Sequence, residues 1–222
     1  MSLVFQPPAA ERINVIGVPG TGKSYWARTY VRNIHRLVIF DIFRECDHLG
    51  TVYTLEEFMG RAAEGEFENG VLRAVVHPDY NLELSENQEE VIATLLDHVK
   101  NCTYYGEETG IVLENATAPP MLRRLAAGGR HEGISMLIAG QRYHSQFPPV
   151  VRGTSNRIIA YRQTEPEDLR DLRQRMGKYV DASLLNMSAQ SSTEDAIAGL
   201  PDRWYVDFQQ STGPVLRPPI RG

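Results

Sequence analysis

The sequence predicts one α/β domain with a mostly parallel central sheet, helices on both faces and a C-terminal β-hairpin. Three observations carry this prediction. Short β-branched runs alternate with breaker-free helical stretches along the chain, the pattern of successive βαβ units. The first unit encloses a glycine-rich phosphate-binding pattern between its strand and its helix. At 222 residues the chain suffices for one well-buried domain and hardly for two.

Residues 13–16 (Ile-Asn-Val-Ile) read as a buried strand. Gly17-Val18-Pro19-Gly20-Thr21-Gly22-Lys23-Ser24 follows and fits G-x-x-x-x-G-K-[ST]. Glycines let successive N–H groups curl around one anion, and the N-terminus of the helix that opens at Tyr25 adds its positive end. In this pattern Lys23 reaches the β- and γ-phosphates and the Ser24 hydroxyl ligates Mg²⁺, so Gly17, Pro19, Gly20, Thr21, Gly22, Lys23, Ser24 and Tyr25 form the expected ATP-binding set.

Further along, residues 37–40 form a second buried strand ending at Asp41, and residues 71–76 a third, closed by His77-Pro78. A helix is expected from Ser85, with Gln88 completing a capping box and Val91, Ile92, Leu95, Leu96 and Val99 on its apolar face. Gly110-Ile111-Val112-Leu113 is the expected fourth strand, ending in Glu114-Asn115. A helix over 119–127 opens on Pro119 and Pro120. Residues 134–139 form a fifth strand ending at Gln141-Arg142, and 157–161 a sixth. Residues 166–175 are charged and helical, 183–199 small and polar like a loop, and 204–208 a final strand turning back around Ser211-Thr212-Gly213. The expected division is an arm over 1–11, the domain over 12–210 and an extended tail over 211–222, mobile from Arg217.

Composition bounds the function. Hydrophobic residues at 42% and charged residues at 23% exclude wholesale disorder. No apolar run is long enough to span a bilayer, and the first residues lack the features of a signal peptide. Two cysteines, Cys46 and Cys102, suggest a reducing interior. The net charge of −5 is unevenly spread: residues 121–180 hold 11 Lys/Arg against 5 Asp/Glu, and residues 41–115 hold 4 against 17. This pattern suits a basic working edge on an acidic body, or an ordinary solvated surface with paired arginines. The six histidines show no metal-ligand spacing.

P-loop hydrolases need a second acid at the end of another buried strand. Glu114 is the leading candidate for that metal-organising role and Asp41 the competing one. The run from Gly128-Gly129-Arg130-His131-Glu132-Gly133-Ile134-Ser135 through Gln141-Arg142, then Ser155-Asn156 and Leu200 to Val206, resembles the FtsK/HerA superfamily of DNA-translocating ATPases over about residues 12–210. Its size is most similar to the genome-packaging ATPases of internal-membrane double-stranded DNA viruses.

The resemblance implies a RecA-like P-loop NTPase fold and ATP with Mg²⁺ as cofactors. Glu114 then corresponds to the metal-organising acid, Gln141 to a γ-phosphate sensor and Arg130 to a finger completing a neighbouring subunit's site. Arg123, Arg124, Arg142 and Arg152 are secondary candidates for that role or for DNA contact. The family usually places Asp then Glu after its fourth strand, whereas Glu114-Asn115 ends in a residue that cannot accept a proton. The implied function is ATP-driven translocation of double-stranded DNA by a homo-oligomeric ring, hexamer or pentamer, at a viral capsid vertex or portal-like complex. The implied location is the host cytoplasm or the virion. A small-molecule phosphotransferase with residues 170–175 as a lid, and a poorly hydrolysing nucleotide-binding assembly subunit, remain the alternatives.

Overall fold

A parallel sheet organises the chain, and its strands fall where apolar runs meet backbone hydrogen-bonding need. The computed structural model describes residues 11–113, 117–176, 197, 200 and 202–220. In chain order the elements begin β1 (Arg12–Ile16), α1 (Lys23–Val31), β2 (Arg36–Asp41), β3 (Thr51–Thr54), α2 (Leu55–Ala63), β4 (Leu72–His77) and α3 (Leu84–Thr94). They continue β5 (Thr103–Glu107), α4 (Pro120–Gly128), β6 (Ser135–Gly140), α5 (Tyr143–Gln146), α6 (Pro149–Thr154), β7 (Arg157–Ala160), α7 (Pro166–Met176), β8 (Tyr205–Gln209) and β9 (Gly213–Arg217). The sheet order is β3-β4-β2-β5-β6-β1-β7-β8-β9. The pairs from β3 to β7 are parallel, and β7–β8 and β8–β9 are antiparallel, which gives the expected C-terminal hairpin.

Both faces are covered, so the central strands read as continuous apolar runs rather than alternating ones. Leu37, Val38, Ile39 and Phe40 of β2 are all fully buried, each contributing about 1.5–3 kcal/mol of transfer free energy. One face packs on α2, α3, α4, α6 and α7. The other packs on α1 through Trp26, Ala27 and Val31.

Four expectations need correction. The strand expected at residues 110–113 is absent; the strand is β5, which ends at Glu107. Glu108 takes a left-handed φ of 49°, which ends extension, and Thr109–Ile111 winds one 3₁₀ turn. Ile111 consequently points to solvent while Leu113 is buried. The second correction concerns α3, which starts at Leu84. Its capping box uses Glu83 and Glu86, with the Glu83 N–H donating to Glu86 Oε2 at 3.2 Å. Gln88 is instead buried and donates to the Tyr104 hydroxyl at 3.1 Å.

The third correction is an addition. β3 was not expected; α2 after it fits the acidic run from Glu56 read as a solvated helix face, and Thr54 and Glu57 form its reciprocal capping box at 3.2 and 2.9 Å. Finally, the stretch expected to be a tail from 211 begins with β9, paired along its length to β8. The expected loop at 183–199 lies almost wholly outside the described residues, as does most of the expected arm.

Candidate functional site

The parallel strands deliver their C-terminal ends to one edge of the sheet, and the chemistry-bearing residues collect there. The turn from β1 into α1 holds Gly20 and Gly22 at φ 78° and 103°, a region that side chains rarely tolerate. Gly17 is required for a different reason: a Cβ there would lie 2.5 Å from Tyr161 Cβ, just beyond β7. The Val18 N–H donates to the Arg162 carbonyl at 3.1 Å, tying the loop to that strand's end. Thr21 is buried and its hydroxyl donates to the Val18 carbonyl at 2.8 Å, so it braces the loop rather than facing a ligand. Lys23, Ser24 and Tyr25 open α1, and Tyr25 is 47% exposed.

A cavity of about 600 Å³ opens over this loop. Pro19, Gly20, Gly22, Lys23, Ser24 and Tyr25 form its floor, and Arg28, Glu108 and Gln141 line it as well. The volume suits a nucleotide-sized ligand. Lys23 is buried, with its Nζ 3.9 Å from Glu108 Oε1 and 3.4 Å from the Val18 carbonyl. Burial lowers its pKa, and Glu108 and Glu107 oppose that shift.

Glu107 is the most distinctive group. It is 1% exposed, and neither carboxylate oxygen makes a hydrogen bond of ordinary geometry among the described residues, the Ser24 hydroxyl lying near. Burial pushes it up to about 7, while the Ser24 hydroxyl and the Arg28 charge pull it down and Glu108 and Asp41 push it further up. Asp41 pairs with Glu107 in register across β2 and β5. Asp41 is fully buried, with Oδ2 accepting from the Cys46 N–H at 2.6 Å and Oδ1 unpartnered. Beside it, Asp47 and His77 bring ligand atoms within 4.8 Å of one another and of Asp41, so the topology assembles a cluster that sequence spacing does not reveal.

Gln141 arrives from the tip of β6, between β5 and β1. Its Nε2 lies 3.5 Å from Glu108 Oε2. Buried neighbours hold its backbone. Gln146 Oε1 accepts from the Gln141 and Arg142 N–H groups at 2.7 and 3.0 Å, and Gln163 Nε2 donates to the Gln141 carbonyl at 3.3 Å. Asp168, fully buried on α7, accepts from Arg142 Nε at 2.8 Å and from the His144 N–H at 2.6 Å.

Of the residues expected from the sequence, the loop, Lys23, Ser24 and Gln141 thus come together. Arg130 does not join them. It lies in the turn before β6, at the sheet's opposite edge, where its charge and burial together hold the Arg12 guanidinium down to about 10, burial being the larger cause. Glu114 and Asn115 lie outside the described residues. The acidic pair that ends a strand beside the loop is Glu107-Glu108, and its signal was the β-forming Thr103-Tyr104-Tyr105 ahead of two glutamates. The secondary arginines are engaged: Arg124 with Asp97 at 3.4 Å, Arg142 with Asp168, Arg152 with Asp171, and Arg123 with the Ala118 carbonyl at 3.2 Å.

No protein-family model matches the chain, and no curated protein matches it. Solved structures do. The genome packaging NTPase B204 from Sulfolobus turreted icosahedral virus 2, in complex with ATP-gammaS, superposes with a TM-score of 0.72 at 17% identity, covering 97% of this chain and 100% of that one. VirB4 of Thermoanaerobacter pseudethanolicus gives 0.62 at 11% identity over 95% and 90% of the two chains. The pCW3 conjugation coupling protein TcpA, with ATPgS, gives 0.54 at 11% identity over 94% and 60%. At these identities the likeness is one of fold. The chain has a RecA-like P-loop fold. No helix among the described residues is long and apolar enough to cross a membrane.

Proposed function

We propose that this chain hydrolyses ATP and, assembled as a ring, uses the energy to move double-stranded DNA, as a viral genome-packaging ATPase does. The observation that carries the reading is the apposition of Lys23 and Ser24 to the paired carboxylates Glu107 and Glu108. A buried carboxylate with two unpartnered oxygens beside a serine hydroxyl is a donor set short of one hard cation. Ser24 and Glu107 would hold that Mg²⁺, which when bound neutralises charge on the β- and γ-oxygens.

The remaining chemistry belongs to the chain's own side chains. Lys23 leaves Glu108 for the incoming phosphates, a move that frees the Glu108 carboxylate. Glu108 then orients a water against the γ-phosphorus and takes its proton as the water oxygen bonds to phosphorus and the bond to the β–γ bridging oxygen breaks. Gln141, between Glu108 and the loop, holds the γ-phosphoryl oxygens in register with that water. Arg130 lies far from its own loop, at the other end of a six-residue strand roughly 20 Å long, so in this reading it serves a neighbouring subunit.

The test is the ATPase rate of the wild type and Lys23→Ala with and without long double-stranded DNA, across salt, together with sedimentation. The expected result is a DNA-stimulated rate that falls with salt, an assembled wild type, and loss of turnover by at least two orders of magnitude in the variant. ATP turnover that DNA never stimulates, from a protein that stays monomeric, overturns the translocase reading.

A further inference from the structure

The pocket has two flanks, and the phosphate chemistry accounts for one of them. In the sheet order, Glu107 and Gln141 come from β5 and β6 on one side of the loop-bearing strand β1, and β7, β8 and β9 lie on the other. Tyr161, Arg203, Pro219 and Ile220 complete the cavity from that second side. The hairpin's direction explains their arrival. β8 starts and β9 ends at the same edge of the sheet, with Tyr205 paired to Arg217, and this is the edge that carries the phosphate loop. Arg203 therefore precedes β8 at the rim of the cavity, and residues 218–220 leave β9 at that rim. Reaching β7 from β9 means crossing two strand spacings, about 10 Å, which is the span of three extended residues.

This end of the chain is held in place. Ile220 packs on the core cluster that contains Trp26, Tyr161 and Tyr205. The Tyr161 and Tyr205 rings beneath it lie 5.2 Å apart. Arg203 holds a left-handed φ of 63°, a strained choice for a side-chain-bearing residue of the kind that collects at ligand sites. A triphosphate whose γ end points at Glu108 and Gln141 has room for its nucleoside on the opposite flank.

We propose that Pro219 and Ile220, with Arg203, form the wall on which the heteroaromatic base of the nucleotide packs. The C-terminal segment is on this account part of the substrate site, giving an apolar surface to the base face while the loop grips the phosphates. The proposal rests on the reading of the cavity as a nucleoside triphosphate site.

Its test separates the two flanks. Binding of Mg²⁺-ATP and of Mg²⁺-tripolyphosphate is measured by calorimetry on the wild type, on a chain ending at Arg217, on Ile220→Asp and on Lys23→Ala, with circular dichroism confirming that each is folded. Both tail variants are expected to lose about tenfold or more in ATP affinity while tripolyphosphate affinity stays within about twofold. Lys23→Ala is expected to lose both ligands. Tail variants that bind ATP as the wild type does, or that lose both ligands in equal measure, overturn the base wall. A Lys23→Ala protein that keeps both ligands overturns the phosphate-loop reading on which the wall depends.

Discussion

The two edges of the sheet bury charge in opposite ways. At the C-terminal edge, Glu107 and Asp41 are buried with three carboxylate oxygens left unpartnered among the described residues. At the N-terminal edge Arg12, Arg36 and Arg73 are engaged by backbone carbonyls. Arg36 donates to five backbone carbonyls, those of Phe67, Gly70, Val99, Lys100 and Asn101, at 2.6–3.4 Å. Arg12 donates to the Ile134 and Leu125 carbonyls at 2.6 and 3.4 Å, and Arg73 to those of Leu49, Val31 and Ile34. A buried polar group without a partner is costly and persists where something outside the chain completes it. Groups fully satisfied by backbone carbonyls stabilise the fold and need no ligand. Chemistry therefore belongs to the strand ends with orphaned acids, and the arginines at strand starts hold the loops that return the chain.

The largest expected effect sharpens this contrast. Glu107→Gln keeps shape and removes charge, so turnover should fall at least about a hundredfold while nucleotide affinity changes only a few-fold. Glu108→Gln should do the same by removing the proton acceptor beside Lys23. Steady-state rates and titrations of the purified variants check both. A Glu107→Gln protein with wild-type turnover would mean that the orphaned acid takes no part in the chemistry.

How much of this was legible beforehand follows physical lines. β1, the loop and β6 with Gln141 were readable because each is a local pattern, an apolar run followed by a turn whose residues the backbone demands. β5 was not. Gly110-Ile111-Val112-Leu113 is more apolar than Thr103-Tyr104-Tyr105-Gly106-Glu107, so hydropathy favoured the wrong segment. What decides is tertiary: β5 is covered on both faces, Tyr104 facing one core and Tyr105 the other, so tyrosines suffice. The tail's contact with the core was not legible for a related reason. Its prolines signal extension, and nothing local says that Ile220 will meet a core cluster built around Trp26. Arg130 was recognisable as an arginine in a glycine-rich turn, but the edge it occupies follows only from strand direction.

A smaller effect belongs to the N-terminal edge. Arg36→Met keeps the aliphatic stem and removes the donor to five carbonyls, two of them part-buried, which should cost about 1–3 kcal/mol of unfolding free energy. The ATPase rate per folded molecule should stay within about twofold of the wild type. Denaturant melts and active-fraction-normalised rates check the pair of outcomes. If turnover collapsed while stability held, the N-terminal edge would share in the chemistry and the division of labour proposed here would fail.

The smallest effect is a pH dependence that only the orphaned acid predicts. Burial raises Glu107 from 4.5 to about 7 in the folded chain, so between those values the folded state binds a proton that the unfolded state has released. The unliganded protein should therefore lose stability as pH rises from about 5 to about 8, by on the order of 2–3 kcal/mol from this one group. Glu107→Gln should flatten that part of the profile and be the more stable protein at pH 8. Mg²⁺-ATP should flatten it as well, because a bound cation stabilises the ionised carboxylate whose isolation causes the loss. Thermal melts of wild type and variant at several pH values, with and without Mg²⁺-ATP, read this out. A wild-type profile that rises over the same interval would mean that Glu107 is ionised and compensated in the unliganded fold, and the contrast between the two edges would then lose its physical basis.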